Sequence, residues 1–396
     1  MSVTVGEIRD LLDRAYPPQL AEDWDRVGLI CGDPAAPVDR VAVALDCTDA
    51  VAEAAIETGA QLLVVHHPLL LRGVSSVAAD TPKGRILHRL IRAGVALFAA
   101  HTNADSARPG VNDALAELLG VRPGRPLAPT PDPGLDLWAV KVPAGDADAV
   151  AAALFDAGAG AIGDYDRCRF DTAGTGRFRP GPGARPHIGA AGVEEAVAET
   201  KLELVAPRPA RARVLAALRA AHPYEEPAFD IIESAAPTVD PDRATGLGRI
   251  GELDRPMAFR DFVARVAERL PATEWGVRGA GDPDRRIRTV AVASGSGDSF
   301  LGAAAAAGVD AFVTSDLRHH PVDEALRAGG PCIVDTAHWA SESPWCAAAA
   351  ALIAERAGIA AEVLDIRTDP WTLAAGGRGR APDGPAAGAG DGGPRR

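Results

Sequence analysis

Two stretches far apart in the chain read alike, and nothing else constrains the fold as much. Val41-Ala42-Val43-Ala44 in the first matches Val290-Ala291-Val292-Ala293 in the second. Each is a branched, apolar run of the kind that forms a buried strand. Twenty-five residues beyond Val41 is His66, and the same step from Val290 reaches Ser315, the end of the equivalent strand. A third strand follows in both: Val95 leads by six residues to His101, and Cys332 by six to His338. Four positions on stand Asp105 and Glu342, so each stretch ends a strand in His-x-x-x-carboxylate. Helical text alternates with the strands at residues 50–58, 83–92, 300–307 and 322–328. That βαβ rhythm predicts mainly parallel sheets covered by helices.

The chemistry gathers at the strand ends, where α/β folds place their sites. Gln61-Leu62-Leu63-Val64-Val65 runs directly into His66-His67-Pro68. Neighbouring strand residues point to opposite faces, so both imidazoles reach one centre only if the strand has ended or bent before them. On its own the pair reads equally well as two solvent-facing histidines. The two His-to-carboxylate spacings tip the balance, and together the strand ends present His66, His67, His101, Asp105, His338 and Glu342. Imidazole and carboxylate ligands suit Zn, Fe, Mn, Ni or Co better than Mg or Ca. That many donors predict two divalent ions roughly 3.5–4 Å apart, with a water or hydroxide between them. His319 and His320, in a second His-His-Pro run, are acid–base or substrate-contact candidates alongside His101, and read equally well as residues opening a helix. Ser294-Gly295-Ser296-Gly297 before a helix reads either as an anion cradle or as a tight turn.

Between the two stretches the rhythm changes. Pro-rich text over residues 122–133 signals a boundary. Beyond it strands are expected near 137–142, 161–170, 200–205 and 229–232, with helices near 147–157 and 208–221. The order β-α-β-β-α-β is the ferredoxin-like pattern. Residues 172–192 read as Gly/Pro-rich loop. The expected architecture is α/β: two pseudo-repeated halves, residues 1–125 and 241–372, form one discontinuous domain, residues 126–240 are an inserted α+β domain, and residues 373–396 are a disordered tail.

Bulk composition excludes several classes. Lys plus Arg is 41 against Asp plus Glu 54, a net charge of −13, which argues against nucleic acid or anionic membrane as a partner. Five scattered cysteines with no CxxC fit neither a disulfide framework nor a structural zinc knuckle and favour a reducing cytoplasm. No apolar run reaches the length of a membrane span.

At this point the residues resemble a known family, the dinuclear-metal toroid proteins that are homologues of type 2 GTP cyclohydrolase I. The resemblance rests on residues 24–32, 63–68, 101–112, 313–320 and 335–342, in both outer halves. His222-Pro223-Tyr224-Glu225-Glu226-Pro227 is similar to the hallmark of the PII-like insert in longer members. The resemblance implies metal ligands at His66, His67, Asp105, His338 and Glu342, with His101 nearby. It also implies a homohexameric toroid and a metal-dependent hydrolase acting on GTP or another nucleotide, by attack of activated water on guanine C8 with loss of formate; the same residues would equally serve a metal-dependent phosphoesterase of another substrate or a non-enzymatic metal-binding regulatory or assembly protein. Arg26 departs from the family's usual asparagine and Ala337 from its usual glycine, which bears on substrate specificity more than on metal binding.

Overall fold

The computed structural model describes residues 3–131, 134–235 and 244–375. The chain divides into two compact units, Met1–Thr130 with Thr245–Arg396, and Pro131–Ala244. The insert therefore begins and ends a few residues later than the sequence suggests. The expected tail, residues 373–396, lies almost wholly outside the described residues.

The outer unit is built on two large sheets, with a two-stranded ribbon of Ala128–Pro129 and Gly246–Leu247 beside them in the chain. The five-stranded sheet runs Gly28–Cys31, Ala96–Ala99, Leu62–Val65, Arg40–Ala44, Ala360–Val363. Its first strand is antiparallel and the other pairings are parallel. The six-stranded sheet runs Val277–Ala280, Cys332–Thr336, Ala311–Ser315, Arg286–Ser296, Arg249–Ala258, Val121–Pro123. Here too an antiparallel edge precedes three parallel strands, and Arg249–Ala258 is antiparallel to both its neighbours. The parallel strands are apolar on both sides, as they must be when both faces are covered. Val41 and Val43 pack into one core while Ala42 and Ala44 pack into another. Helix Val111–Leu119 sends Val111 into a core of the first sheet and Leu115, Ala116 and Leu119 into a core of the second. Trp339 packs against both of these cores.

Local signals set the helix limits. Thr48 accepts a hydrogen bond from the Val51 amide and caps Asp49–Glu57, while Gly94 ends Pro82–Ala93 in the left-handed region. A buried ion pair fixes the connection between the two sheets. Arg249, fully buried, donates twice to the Asp113 carboxylate at 2.9 and 2.8 Å and also to the carbonyls of Gly246, Gly248 and Ala107.

The inserted unit has the order β-α-β-β-α-β, with its four strands arranged Ala228–Glu233, Leu135–Pro143, Glu195–Pro207, Phe170–Phe178, all antiparallel. Trp138, Val140, Leu202 and Leu204 pack under helices Ala147–Asp156 and Arg211–Ala221. One expectation is corrected here. The second strand lies at Phe170–Phe178, beyond the expected 161–170 and inside text read as loop. It is an edge strand exposed along most of its length, so no apolar alternation marks it.

Candidate metal centre

The carboxyl ends of parallel strands from both sheets supply the site. Strand Leu62–Val65 stops before the two histidines, whose amides both donate to the Leu45 carbonyl, at 3.1 and 2.9 Å. This break in the ladder lets adjacent residues turn to one side, with ring centroids 5.1 Å apart. His66 is fully buried and its ring lies 5.3 Å from Trp345. After Ala96–Ala99, His101 precedes the single helical turn Thr102–Ser106, which carries Asp105. After Cys332–Thr336, the turn His338–Glu342 places its first and last side chains on one face, His338 Nε2 to Glu342 Oε1 at 3.1 Å.

The four imidazoles share one construction. His66 Nδ1 faces the Ala100 carbonyl at 2.8 Å, His67 Nδ1 the Asp46 carboxylate at 2.7 Å, His101 Nδ1 Asp25 at 2.9 Å, and His338 Nδ1 Asp316 at 2.6 Å. Each acceptor holds a proton on Nδ1 and turns Nε2 toward the centre, where those of His67 and His338 meet Glu342 at 2.9 and 3.1 Å; this is the arrangement that orients metal-ligating histidines. Ring nitrogens of His66, His67 and His101 lie within 4.8 Å of one another, and so do the ligand atoms of His67, His338 and Glu342. His66 Nε2 has no hydrogen-bond partner, although it is buried. It lies 3.8 Å from both Asp105 Oδ1 and Glu342 Oε1. Those separations are too long for hydrogen bonds but match donors sharing one cation at about 2.0–2.2 Å. An orphaned buried donor facing two carboxylates fits a divalent ion.

Electrostatics agree. Burial works against the charge on His67 and His338, yet Glu342 and the Asp46 and Asp316 carboxylates hold their pKa values up, at about 10 and about 11. Burial likewise opposes the Glu342 charge, but His338 and His67 outweigh it and the carboxyl stays well below its ordinary value. Asp105 is pushed up, chiefly by burial, with His66 offsetting part of the effect. At Asp25, burial is overcome by hydrogen bonds from His101 and Thr102, and the carboxyl stays well below the usual range. The cluster of acids therefore demands positive charge, which protonated imidazoles supply in the absence of an ion.

All five ligands named from the sequence, and His101, converge here. His319 and His320 do not. They open helix His319–Arg327, are exposed, and His319 lines a separate groove with Arg278 and Asp323. The Ser294–Gly297 turn is a packing turn and no anion cradle. Its amides are spent on Asn112 from Ser294, on Ser341 from Gly295 and on the Ser315 carbonyl from Gly297. Gly295, at φ +63°, passes so close that a Cβ would overlap the Glu342 carboxylate. Sequence reading missed Asp25, Asp46 and Asp316. Asp46 and Asp316 lie just past the ends of strands Arg40–Ala44 and Ala311–Ser315, the same position that singled out the histidines. A cavity of about 800 Å³ opens over the cluster, lined among others by Trp24, Leu71, His101, Ser294, Ser296, Ser299 and Phe300.

Histidines and carboxylates brought together at the strand ends of two α/β sheets define this as an α/β protein with groups able to hold a metal ion. The comparisons are specific: the chain belongs to the Duf34/NIF3 (NGG1p interacting factor 3) family, whose sequence profile matches residues 3–370. It is similar to the GTP cyclohydrolase 1 type 2 homolog of Mycobacterium tuberculosis, 55% identical over 376 residues that cover 94% of this chain and 98% of that one. The Bacillus subtilis protein of the same name is 38% identical over 341 residues, covering 86% and 90%. Among solved structures, the Bacillus cereus protein related to NIF3 matches with a TM-score of 0.74 and 34% identity, covering 94% of this chain and 99% of that one. No helix among the described residues is long and apolar enough to cross a membrane.

Proposed function

We propose that this chain is a divalent-metal-dependent hydrolase whose centre takes two ions, of Zn, Fe, Mn, Ni or Co, on His66, His67, Asp105, His338 and Glu342. One observation carries the reading: the buried, unpartnered His66 Nε2 facing Asp105 and Glu342 while its Nδ1 is held from behind. The ligand atoms of His67, His338 and Glu342 lie within 4.8 Å of one another, and His66 Nε2 faces Asp105 Oδ1 at 3.8 Å, which together support a pair of ions. When bound, such ions supply Lewis acidity and lower the pKa of coordinated water.

The chain's own residues do the rest. Asp46 and Asp316 fix the His67 and His338 rings and raise their basicity toward the centre. Asp25 holds His101, which lines the cavity and moves the proton at Nε2. The relatives' name supports GTP as the substrate, and water attack on guanine C8 with release of formate is the reaction that the sequence resemblance implies. The same resemblance implies an assembly of six copies in a ring, with pseudo-repeated outer halves and a PII-like insert. A second reading, a metal-binding regulator, has its own support. The inserted unit holds a cavity of about 420 Å³ beside Phe178, Tyr224 and Glu225, as a ligand-sensing domain would.

Bound metal is measured in wild type, His66→Ala and His338→Ala; loss in both variants is expected, and unchanged content in both rejects the centre. Metal-loaded protein is then incubated with GTP and assayed for formate. Turnover supports the hydrolase, and intact metal without turnover of GTP or its parent nucleoside favours the regulator. His101→Gln keeps its metal and shifts the pH profile if the residue moves protons.

A further inference from the structure

The walls of the metal cavity carry information about what enters it. Trp24 stands at its mouth, 56% exposed, with its ring edge-on to His101 at 5.9 Å and 77°. An indole left half in water beside a reactive centre is an unfilled stacking platform. Phe300 and Leu71 add apolar wall, and the Ser296 and Ser299 hydroxyls line the same space. The volume, about 800 Å³, is in the range of small-molecule sites.

The charge around this space has one sign. Glu22, Asp105 and Glu342 line the cavity, and Asp25, Asp46 and Asp316 stand behind its histidines. Two divalent ions bring four positive charges against these six carboxylates, so the formal balance stays at two negative. Among the described residues, the lining includes no lysine or arginine. Arg26, beside the Trp24 platform, turns its guanidinium back on the Asp23 and Asp25 carbonyls of its own loop. Polyphosphate recognition is built from clustered Arg, Lys or convergent N–H groups. The Ser294–Gly297 turn, which lines the cavity at Ser294 and Ser296, has spent the amides of Ser294, Gly295 and Gly297 elsewhere.

We propose that this cavity recognises the heteroaromatic ring of its substrate on Trp24 and gains nothing from a phosphate chain, so that the substrate class is an uncharged purine-like heterocycle or nucleoside. This rests on reading the site as a metal-dependent hydrolase and names the substrate class of that site. Trp24 is the specificity-determining residue, and Glu22 at the rim repels polyanions.

The test is binding, separate from turnover. Metal-loaded full-length protein is titrated calorimetrically with guanosine, GMP and GTP at low and high salt, with metal content checked afterwards. Guanosine is expected to bind at least as tightly as GTP, with GMP between them and with GTP affinity rising as salt screens repulsion. Trp24→Ala, at an exposed position that leaves the fold intact, weakens guanosine binding about tenfold or more, in the range of base–aromatic stacking. Glu22→Lys tightens GTP about threefold or more and leaves guanosine unchanged. GTP binding tenfold tighter than guanosine, with affinity lost in salt, overturns the proposal, as does no binding of guanosine or an unaltered Trp24→Ala. Those results leave the hydrolase reading standing, because metal content and turnover test it independently.

Discussion

Asp316 offers a way to separate the stability of the fold from the strength of the metal centre. It is one of two non-glycine residues at positive φ among the described residues, at +57°, and its carboxylate holds His338 Nδ1 at 2.6 Å. A left-handed conformation costs an L residue about 1–2 kcal/mol. Asp316→Gly removes that strain but gives back about 0.5–1 kcal/mol through a freer unfolded chain. That backbone gain, at most about 1.5 kcal/mol, is offset in the metal-free chain by loss of the charged hydrogen bond to His338, worth about 1.5–3 kcal/mol, so the unfolding midpoint should stay level or fall by a few degrees. The same change leaves the His338 ring without its anchor. Losing such a partner costs 10- to 100-fold in metal affinity, about 1.4–2.7 kcal/mol. Affinity should therefore fall clearly while stability changes little, because relief of the backbone offsets part of the lost ion pair. Asp316→Asn tolerates the same backbone and keeps an acceptor oxygen, so it should hold wild-type stability and lose about tenfold in affinity or less. Thermal unfolding is read in excess chelator, so that ligand linkage does not contribute, and affinity by competition with a chromophoric chelator. Wild-type affinity in Asp316→Gly, or a stability loss above about 3 kcal/mol, refutes the strained-anchor argument.

Three further outcomes follow from the geometry. Gly295→Ala should abolish tight metal binding, because its Cβ overlaps the Glu342 carboxylate and lies 3.2 Å from His338 Nε2; metal content near wild type would contradict this close approach. Arg249→Met should cost about 3–5 kcal/mol in a denaturant melt by stranding the buried Asp113 charge, and Asp113→Asn added to it should recover part of the loss. Metal uptake at pH 7 should release about two protons, since His67 and His338, with pKa values near 10 and 11, must lose theirs to ligate; calorimetry in buffers of different ionisation enthalpy counts them, and a count of zero would reject the coupling. In the metal-free chain the sign is fixed by those raised values. The stabilisation from these two groups is complete below their unfolded pKa of about 6.5 and is lost as pH rises through 10 to 11.

The sequence exposes the parts of this protein that obey a period. Buried parallel strands announce themselves as apolar runs, and the histidines stand out because each follows one: His66 after Leu62–Val65, His101 after Ala96–Ala99. What stayed hidden lacks such a frame. Strands Val121–Pro123 and Val277–Ala280 are short and lie at sheet edges, so their text is too polar and brief to read. Phe170–Phe178 carries two glycines and little apolar surface, because it pairs on one side only. Asp25, Asp46 and Asp316 look like ordinary turn aspartates until the ring nitrogens they hold are known. His319 and His320 show the converse: the same His-His-Pro text that ends one strand at the centre opens an exposed helix elsewhere, because Asp316 and Leu317 have already carried the chain away from the strand end.

The two sheets of the outer unit exchange strands. Ala360–Val363, near the end of the described chain, completes the first sheet beside Arg40–Ala44, and Val121–Pro123 of the first half completes the second sheet beside Arg249–Ala258. Thr368 reaches back as well, donating to Asp46, which positions His67. During synthesis, then, the contiguous inserted unit can finish first, while the opening half waits with one sheet edge open and half of its ligands unmatched. The metal centre becomes a property of the nearly completed polypeptide: a chain that stops before residue 360 can close the second sheet but leaves the edge of the first, beside Arg40–Ala44, open.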